Sequence, residues 1–298
     1  MEKIWTERFP IRTFDTDAGQ SLSPQAALRY LEETAGNHAH HLGFSVHQLL
    51  ARGYTWVLSR LLLRLRRSLG WREELRVRTW PCGVHRLFAL RDFLLTDGRG
   101  EAVGEAASAW LLLTLGDHRP VRIEPLFQEF LPYPGERAIP GALDKLPALE
   151  EGCSQAEPMR EETFQKEFQV RYSDLDLNQH VNNVSYVEWL LESLSPLGDL
   201  PARASLSLLG DLSPLGDLPA RASLSPGGDK PLQASHRLQE LEIDFFAEAG
   251  YGERVRVVSR CVSRQPLTYL HSLRLEEGGR EAARARTLWR SREAADKA

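Results

Sequence analysis

Two hydrophobic periods alternate along this chain, and the alternation happens twice. A helical pattern, "PQAALRYLEETA" from Pro24, precedes a series of period-2 segments rich in strand formers, and a second helical pattern, "NVSYVEWLLESL" from Asn183, precedes another such series. The first helix has an ordinary amphipathic division. The second is apolar nearly all round, at Val184, Tyr186, Val187, Trp189, Leu190, Leu191 and Leu194, which predicts a helix enclosed by other structure.

Laid against itself, the chain answers at two offsets. "IRTFDTD" (Ile11 to Asp17) matches "VRYSDLD" (Val170 to Asp176) at an offset of 159, placing Asp15 on Asp174 and Asp17 on Asp176. "LLLRLRRSLGWREELRVRTW" from Leu61 matches "LEIDFFAEAGYGERVRVVSR" from Leu241 at an offset of 180, with the same apolar parity. Further strands read from "LFALRDFLLTDGRG", "EAASAWLLLTL", "LTYLHSLRLEEGG" and "AARARTLWR", with turn signals between them. Each half is thus predicted as a strand, a buried helix and about four antiparallel strands, an α+β unit whose sheet wraps its helix. The two offsets differ by 21 residues because the second half carries a tandem copy, "LSPLGDLPARASLSLLGD" followed by "LSPLGDLPARASLSPGGD". Two copies do not stack into a solenoid core, so the duplication reads as a Pro/Gly/Ser-rich surface loop. The predicted organisation is a first unit over 1–130, a proline-bearing linker over 131–160 and a second unit over 161–298 that includes the duplicated loop 194–229.

Composition narrows the classes. With 42% hydrophobic and 26% charged residues and a net charge of −4, the chain is neither disordered nor built chiefly for nucleic acid. No apolar run reaches the roughly 18 residues of a membrane span. The opening "MEKIWTERFP" alternates charge with apolar residues and lacks a signal-peptide core, so a mature cytoplasmic protein is expected. Cys82, Cys153 and Cys261 have neither paired nor C-x-x-C spacing, and "HAHH" at His38 to His41 lacks matching ligands. Neither a metal nor a cofactor is expected.

The candidate chemistry sits before the apolar helix, in "SDLDLNQHVNN". Asn182 or Asn183 suits an N-cap, and Asp174 and Asp176 suit the helix's positive end. Capping needs one or two such residues; it does not account for Asp176, Asn178 and His180 at alternating positions, which an extended segment would project to one side. The first half is an internal control. It keeps Asp17 but carries Gly19 and Ser21 where the second half has Asn178 and His180, whereas a need of the fold should appear twice. Helix-start N–H groups and an asparagine amide can polarise a carbonyl, a carboxylate in an apolar pocket can take a proton from water, and an enclosed apolar helix can line an acyl slot. A thiolate leaving group, with a reference pKa of about 8.5, needs no strong general acid. Thioester hydrolysis uses all these parts; hydration through the same carbonyl clamp, or acyl-thioester binding without catalysis, are the alternatives.

"DLDLNQHVNNVSYVEWLLES" closely resembles the characteristic motif of acyl-ACP thioesterases, the bacterial and plant-plastid enzymes that release fatty acids from acyl carrier protein. The likeness extends to "RLFALRDF" with "ASAWLLL" and to "HRLQELEIDF", covering nearly the whole chain apart from the duplicated loop. It implies a double hotdog, two fused hotdog units each with a central helix, which the internal repeat suggests independently. It implies a catalytic set of Asp176, Asn178, His180 and Glu248, with Glu248 activating water, Asn178 and helix N–H groups holding the thioester oxygen, and Asp176 and His180 orienting them. Plant relatives often carry a cysteine after that glutamate; Ala249 stands here, which disfavours a cysteine nucleophile. If the strand from Leu241 were regular, Glu248 would face away from the side of Leu241 and Ile243, so a bulge or strand end near "FFAE" is required. Asn182, Asn183 and Trp189 are expected to bind substrate, and Arg64 and Arg66 to steer an acidic acyl carrier protein bearing fatty acyl-phosphopantetheine. A monomer or homodimer is expected, and acyl-CoA is the alternative substrate.

Overall fold

The computed structural model describes residues 3–123, 137–141, 143–149, 163–194 and 232–292. The predicted duplicated loop lies outside the described residues except for its first, Leu194, as does most of the predicted linker. The first half contributes β1 (Trp5–Pro10), α1 (Pro24–His41), the short α2 (Val46–Leu50), β2 (Tyr54–Leu65), β3 (Glu74–His85), β4 (Phe88–Asp97) and β5 (Ala102–Thr114). The second contributes β6 (Thr163–Gln169), α3 (Asn183–Ser193), β7 (His236–Phe245), β8 (Arg254–Arg264), β9 (Leu267–Leu275) and β10 (Glu281–Ser291). All ten strands join one antiparallel sheet in the order β1-β3-β4-β5-β2-β7-β10-β9-β8-β6, so each half is a five-stranded sheet with the same internal order.

The halves meet where β2 pairs with β7, with Leu63 opposite Leu241 and Leu61 opposite Ile243. These four side chains point inward and are buried in one hydrophobic core that also takes Leu28 and Leu31 of α1 and Val184, Val187 and Leu190 of α3. Strand alternation sends the intervening residues outward, where Arg64 meets Glu240 at 2.7 Å and Arg60 approaches Asp244 at 3.8 Å, both across the joint. The helices touch inside the sheet's curve, and Arg29 of α1 pairs with Glu188 of α3, residues that occupy the same place in the two halves.

Part of the predicted linker has a structural task that its proline content does not reveal. Residues 137–141 and 143–149 lie over the outer face of the sheet, and Ile139 and Leu143 cover Leu62, Leu90, Ala107 and Ala109. Buried Asp92 on β4 takes a two-pronged ion pair from Arg137 (2.7 and 3.0 Å) and the Ala138 N–H (2.8 Å). Further along, the Leu146 N–H donates to Asp244 of β7 and its carbonyl accepts from Arg284 of β10, each at 2.8 Å. The strap therefore binds to both halves.

Candidate active site

The segment before each helix folds alike. In the second half Arg171 and Asp174 close a box over a single helical turn, and Leu175 bridges Val181. Between them the Asp176 N–H donates to the His180 carbonyl at 2.8 Å, with Gln179 in the left-handed region at φ 63°. Asp176, Asn178 and His180 are thus brought together by a tight turn, which corrects the expected extended segment. Asp176 braces that turn, its carboxylate accepting the Asn178 backbone N–H at 2.7 Å and its side-chain amide at 3.4 Å. The first half repeats the turn, with Thr16 bridging Leu22 and Gln20 at φ 62°. The turn is a need of the fold; the asparagine and histidine on it are not.

Asn182 is the N-cap of α3: its Oδ1 accepts the Val184 N–H at 2.7 Å, while its amide donates to Glu32 Oε2 of α1 at 3.3 Å. Asn183, the first helical residue, lines the same slot as Glu32. Sequence reasoning missed Glu32, because on α1 it reads as one more acid of the polar face.

Glu248 arrives from the opposite side. Strand β7 ends at Phe245, after which both Phe246 and Ala247 N–H groups turn to the single carbonyl of Ala282 (2.8 and 3.3 Å). The next residues are pinned to α3 and its entry turn. The Ala249 N–H donates to the Tyr186 hydroxyl at 2.9 Å, and the Ala249 carbonyl accepts from the Val181 N–H at 3.0 Å. The strand end that the pattern required is present, and it sets Glu248 Oε2 3.0 Å from His180 Nδ1. Both side chains remain nearly half exposed, at 48% and 43%, open to an incoming substrate.

Beneath this turn runs a narrow apolar slot between the helices. Leu28, Leu31, Val184 and Val187 form its helical walls, Phe93, Trp110 and Phe245 close it from the sheet, and Glu32 and Asn183 stand at its polar edge. Trp189 is elsewhere, buried against Phe168 and Tyr186 with ring centroids at 5.9 and 5.4 Å. Arg64 and Arg66 lie on the outer face, Arg64 paired with Glu240 at 2.7 Å and Arg66 with Glu105 at 2.6 Å.

The matching place in the first half is filled differently. Asp17 pairs with Arg292 at 2.8 Å, and the same guanidinium lies where a side chain at Gly19 would start, so an asparagine there would collide with it. Ser68 stands at the position of Glu248. Among the described residues, only the second half holds a complete polar set.

Residues 2–131 match the acyl-ACP thioesterase N-terminal domain and residues 157–197 the acyl-ACP thioesterase C-terminal domain. Palmitoyl-acyl carrier protein thioesterase of Cuphea hookeriana is 27% identical over 308 residues, which span 96% of this chain and 62% of the relative. Oleoyl-acyl carrier protein thioesterase 2 of Arabidopsis thaliana is 24% identical over 324 residues, 97% of this chain and 77% of the relative. The chain thus spans just under two thirds of the Cuphea protein's length. Among solved structures, the 12:0-ACP thioesterase of Umbellularia californica has a TM-score of 0.74 at 20% identity, covering 98% of this chain and 99% of the other. An acyl-ACP thioesterase of Bacteroides thetaiotaomicron has a TM-score of 0.68 at 23% identity, covering 97% and 98%. These structural likenesses show the shared double-hotdog fold.

Proposed function

The chain belongs to the acyl-ACP thioesterase family, and we propose that it hydrolyses the thioester of fatty acyl-ACP to a free fatty acid and holo-ACP at one site, in the second half. The observation that carries this reading is the 3.0 Å contact between His180 and Glu248, which unites two separate chain segments beside the first turn of α3.

In the proposed reaction the acyl chain enters the slot between α1 and α3, spreading the side chains that narrow it. The carbonyl oxygen lies against the Asn178 amide and the start of α3, where a helix offers N–H groups without partners in the helix. His180 Nδ1–H holds one oxygen of Glu248, and the other oxygen takes a proton from water as that water's oxygen bonds to the carbonyl carbon. Charge collects on the former carbonyl oxygen, then returns as the carbon–sulfur bond breaks, and the proton held by Glu248 passes to the departing thiolate. Asp176 keeps the turn in shape. Arg64 and Arg66 are taken as docking charges for the carrier, and the working form as a cytoplasmic monomer or homodimer.

The test is thiol release from a panel of acyl-ACPs and matched acyl-CoAs, for the wild type, His180→Ala and Glu248→Ala. The reading expects release from acyl-ACP that both substitutions abolish while the fold survives. Preference for acyl-CoA would reassign the carrier, and no release from either carrier would overturn the hydrolase reading.

A further inference from the structure

Building on that reading, we propose that Glu32, carried by the first half, is a positioning residue of the second-half site: it fixes Asn182, and with it the first turn of α3, at the edge of the acyl slot and presents its carboxyl toward the thioester.

Three observations carry this. The first is connectivity. Asn182 is strung between two partners, its Oδ1 taking the Val184 N–H at 2.7 Å and its amide reaching Glu32 at 3.3 Å, so the first turn of α3 is tied to the other half through this one carboxyl. The second is placement. Among the described residues that line the slot, Glu32 is the sole ionisable one; its companions are mostly leucine, valine, alanine and aromatic side chains. A carboxylate is costly in such surroundings unless it is fully paired, and helix packing does not call for one. The third is the internal control. Helices α1 and α3 correspond at the offset of 159, which places Glu32 on Leu191, and Leu191 lines the cleft beside the first half's turn. The carboxyl occurs opposite the turn that bears Asn178 and His180, and leucine occurs opposite the turn that bears Gly19 and Ser21.

The groups facing Glu32 pull its protonation in both directions, and burial prevails. Burial pushes its pKa up to about 7, and nearby Asp176 pushes the same way. The Asn182 hydrogen bond, the nearby Asn183 amide and Arg29 oppose the rise, with Arg29 itself paired to Glu188. The strand residues lining the slot, Leu58, Leu61, Phe93, Ser108, Trp110 and Phe245, bring no charge. An acyl chain filling the slot strips more water from Glu32 and favours the neutral acid further. Neutral, it can coexist with an oxygen that becomes negative in the transition state. Ionised, it sets a like charge near that oxygen and raises the barrier.

The experiment is kcat and KM for an acyl-ACP from pH 5.5 to 9, for wild type, Glu32→Gln, Glu32→Leu and His180→Ala, with thermal unfolding of each. Wild-type kcat is expected to fall about tenfold per pH unit on the alkaline side, and Glu32→Gln, which keeps a neutral amide there, to lose that fall. Glu32→Leu, the first-half solution, is expected to fold at least as stably yet lose about 10- to 100-fold in kcat with KM little changed, because Asn182 loses its partner. The proposal is overturned if Glu32→Gln retains the wild-type alkaline limb or if Glu32→Leu keeps full kcat. If those failures occur in a protein whose hydrolysis depends on His180, the reading of the site stands and only the role of Glu32 falls. A wild type that hydrolyses nothing overturns both.

Discussion

His180 Nδ1 and Glu248 Oε2 stand 3.0 Å apart although one belongs to the turn before α3 and the other to the chain beyond β7. The contact exists because Tyr186 and Val181 pin Ala249, so the site's geometry is inherited from the packing of α3 against the end of a strand. It also separates two ways of dividing the labour. With Glu248 as the base, Glu248→Gln removes proton acceptance but keeps an oxygen for Nδ1–H, and kcat is expected to fall on the order of 10²- to 10⁴-fold, as far as in Glu248→Ala. Were His180 the base and Glu248 its support, the glutamine variant would retain most of the activity. Single-turnover thiol release on the two variants decides between these outcomes.

Asn178 gives a second, independent test. Its backbone N–H closes the turn onto Asp176 at 2.7 Å, while its side-chain amide makes only a long 3.4 Å contact to the same carboxylate. The amide is therefore spare for a substrate oxygen. Asn178→Ala leaves the backbone bond intact, so stability is expected to change by less than about 0.5 kcal/mol, as for substitutions outside packed or networked sites. Loss of an oxyanion donor is expected to lower kcat by about 10²- to 10³-fold. Unfolding by denaturant and steady-state kinetics on the same preparation check the two halves of this prediction together.

The two-unit plan was legible because the 159 and 180 offsets report the same elements twice, and the strands alternate cleanly around the β2–β7 joint. The catalytic candidates were legible as the positions where the halves differ, Asn178 against Gly19 and His180 against Ser21. Three things were hidden. Alternation suggested an extended segment, whereas one residue with positive φ, Gln179, folds it into a turn and brings the same side chains together. Glu32 carries no local sign of its task, since its partners lie on another helix some 150 residues on. Asp92 and Asp244 stand at outward-facing strand positions, where alternation alone places solvent, yet a distant strap covers both. Pattern reports the neighbours in an element; it does not report what later crosses over it.

A buried polar chain in the second half predicts the response to acid. Ser193 meets Ser259 at 2.7 Å, Ser259 meets His271 Nδ1 at 2.7 Å, and His271 Nε2 meets the Thr287 hydroxyl at 2.9 Å. Burial holds the His271 pKa down to about 3, so the folded protein keeps this ring neutral where the unfolded chain, near 6.5, would bind a proton. The unfolded state therefore gains protons first: stability is full above about pH 6.5 and is lost as pH falls toward 3. Between pH 6.5 and 5 this one group is expected to cost about 2 kcal/mol. Denaturant unfolding at the two pH values should show a correspondingly shallower loss in His271→Gln, even though that variant begins less stable.

The strap over the sheet makes the last prediction. Asp92 is fully buried and accepts three hydrogen bonds, two from Arg137 and one from the Ala138 backbone. Asp92→Ala leaves the Arg137 guanidinium facing an apolar patch with no counter-charge, a change that commonly costs about 3–5 kcal/mol. The arginine escapes that cost by turning to solvent, and the strap must lift with it. The variant is therefore expected to lose rather less, roughly 2–3 kcal/mol, while protease cleavage within 137–149 accelerates and uncovers Leu62 and Leu90. Arg137→Met with Asp92→Leu replaces the buried pair by apolar volume and is expected to recover much of the loss, because the penalty comes from an unpaired charge and not from absent attraction. If the double variant proves as labile to protease as Asp92→Ala, the ion pair itself, and not the apolar cover of Ile139 and Leu143, is what holds the strap to the sheet.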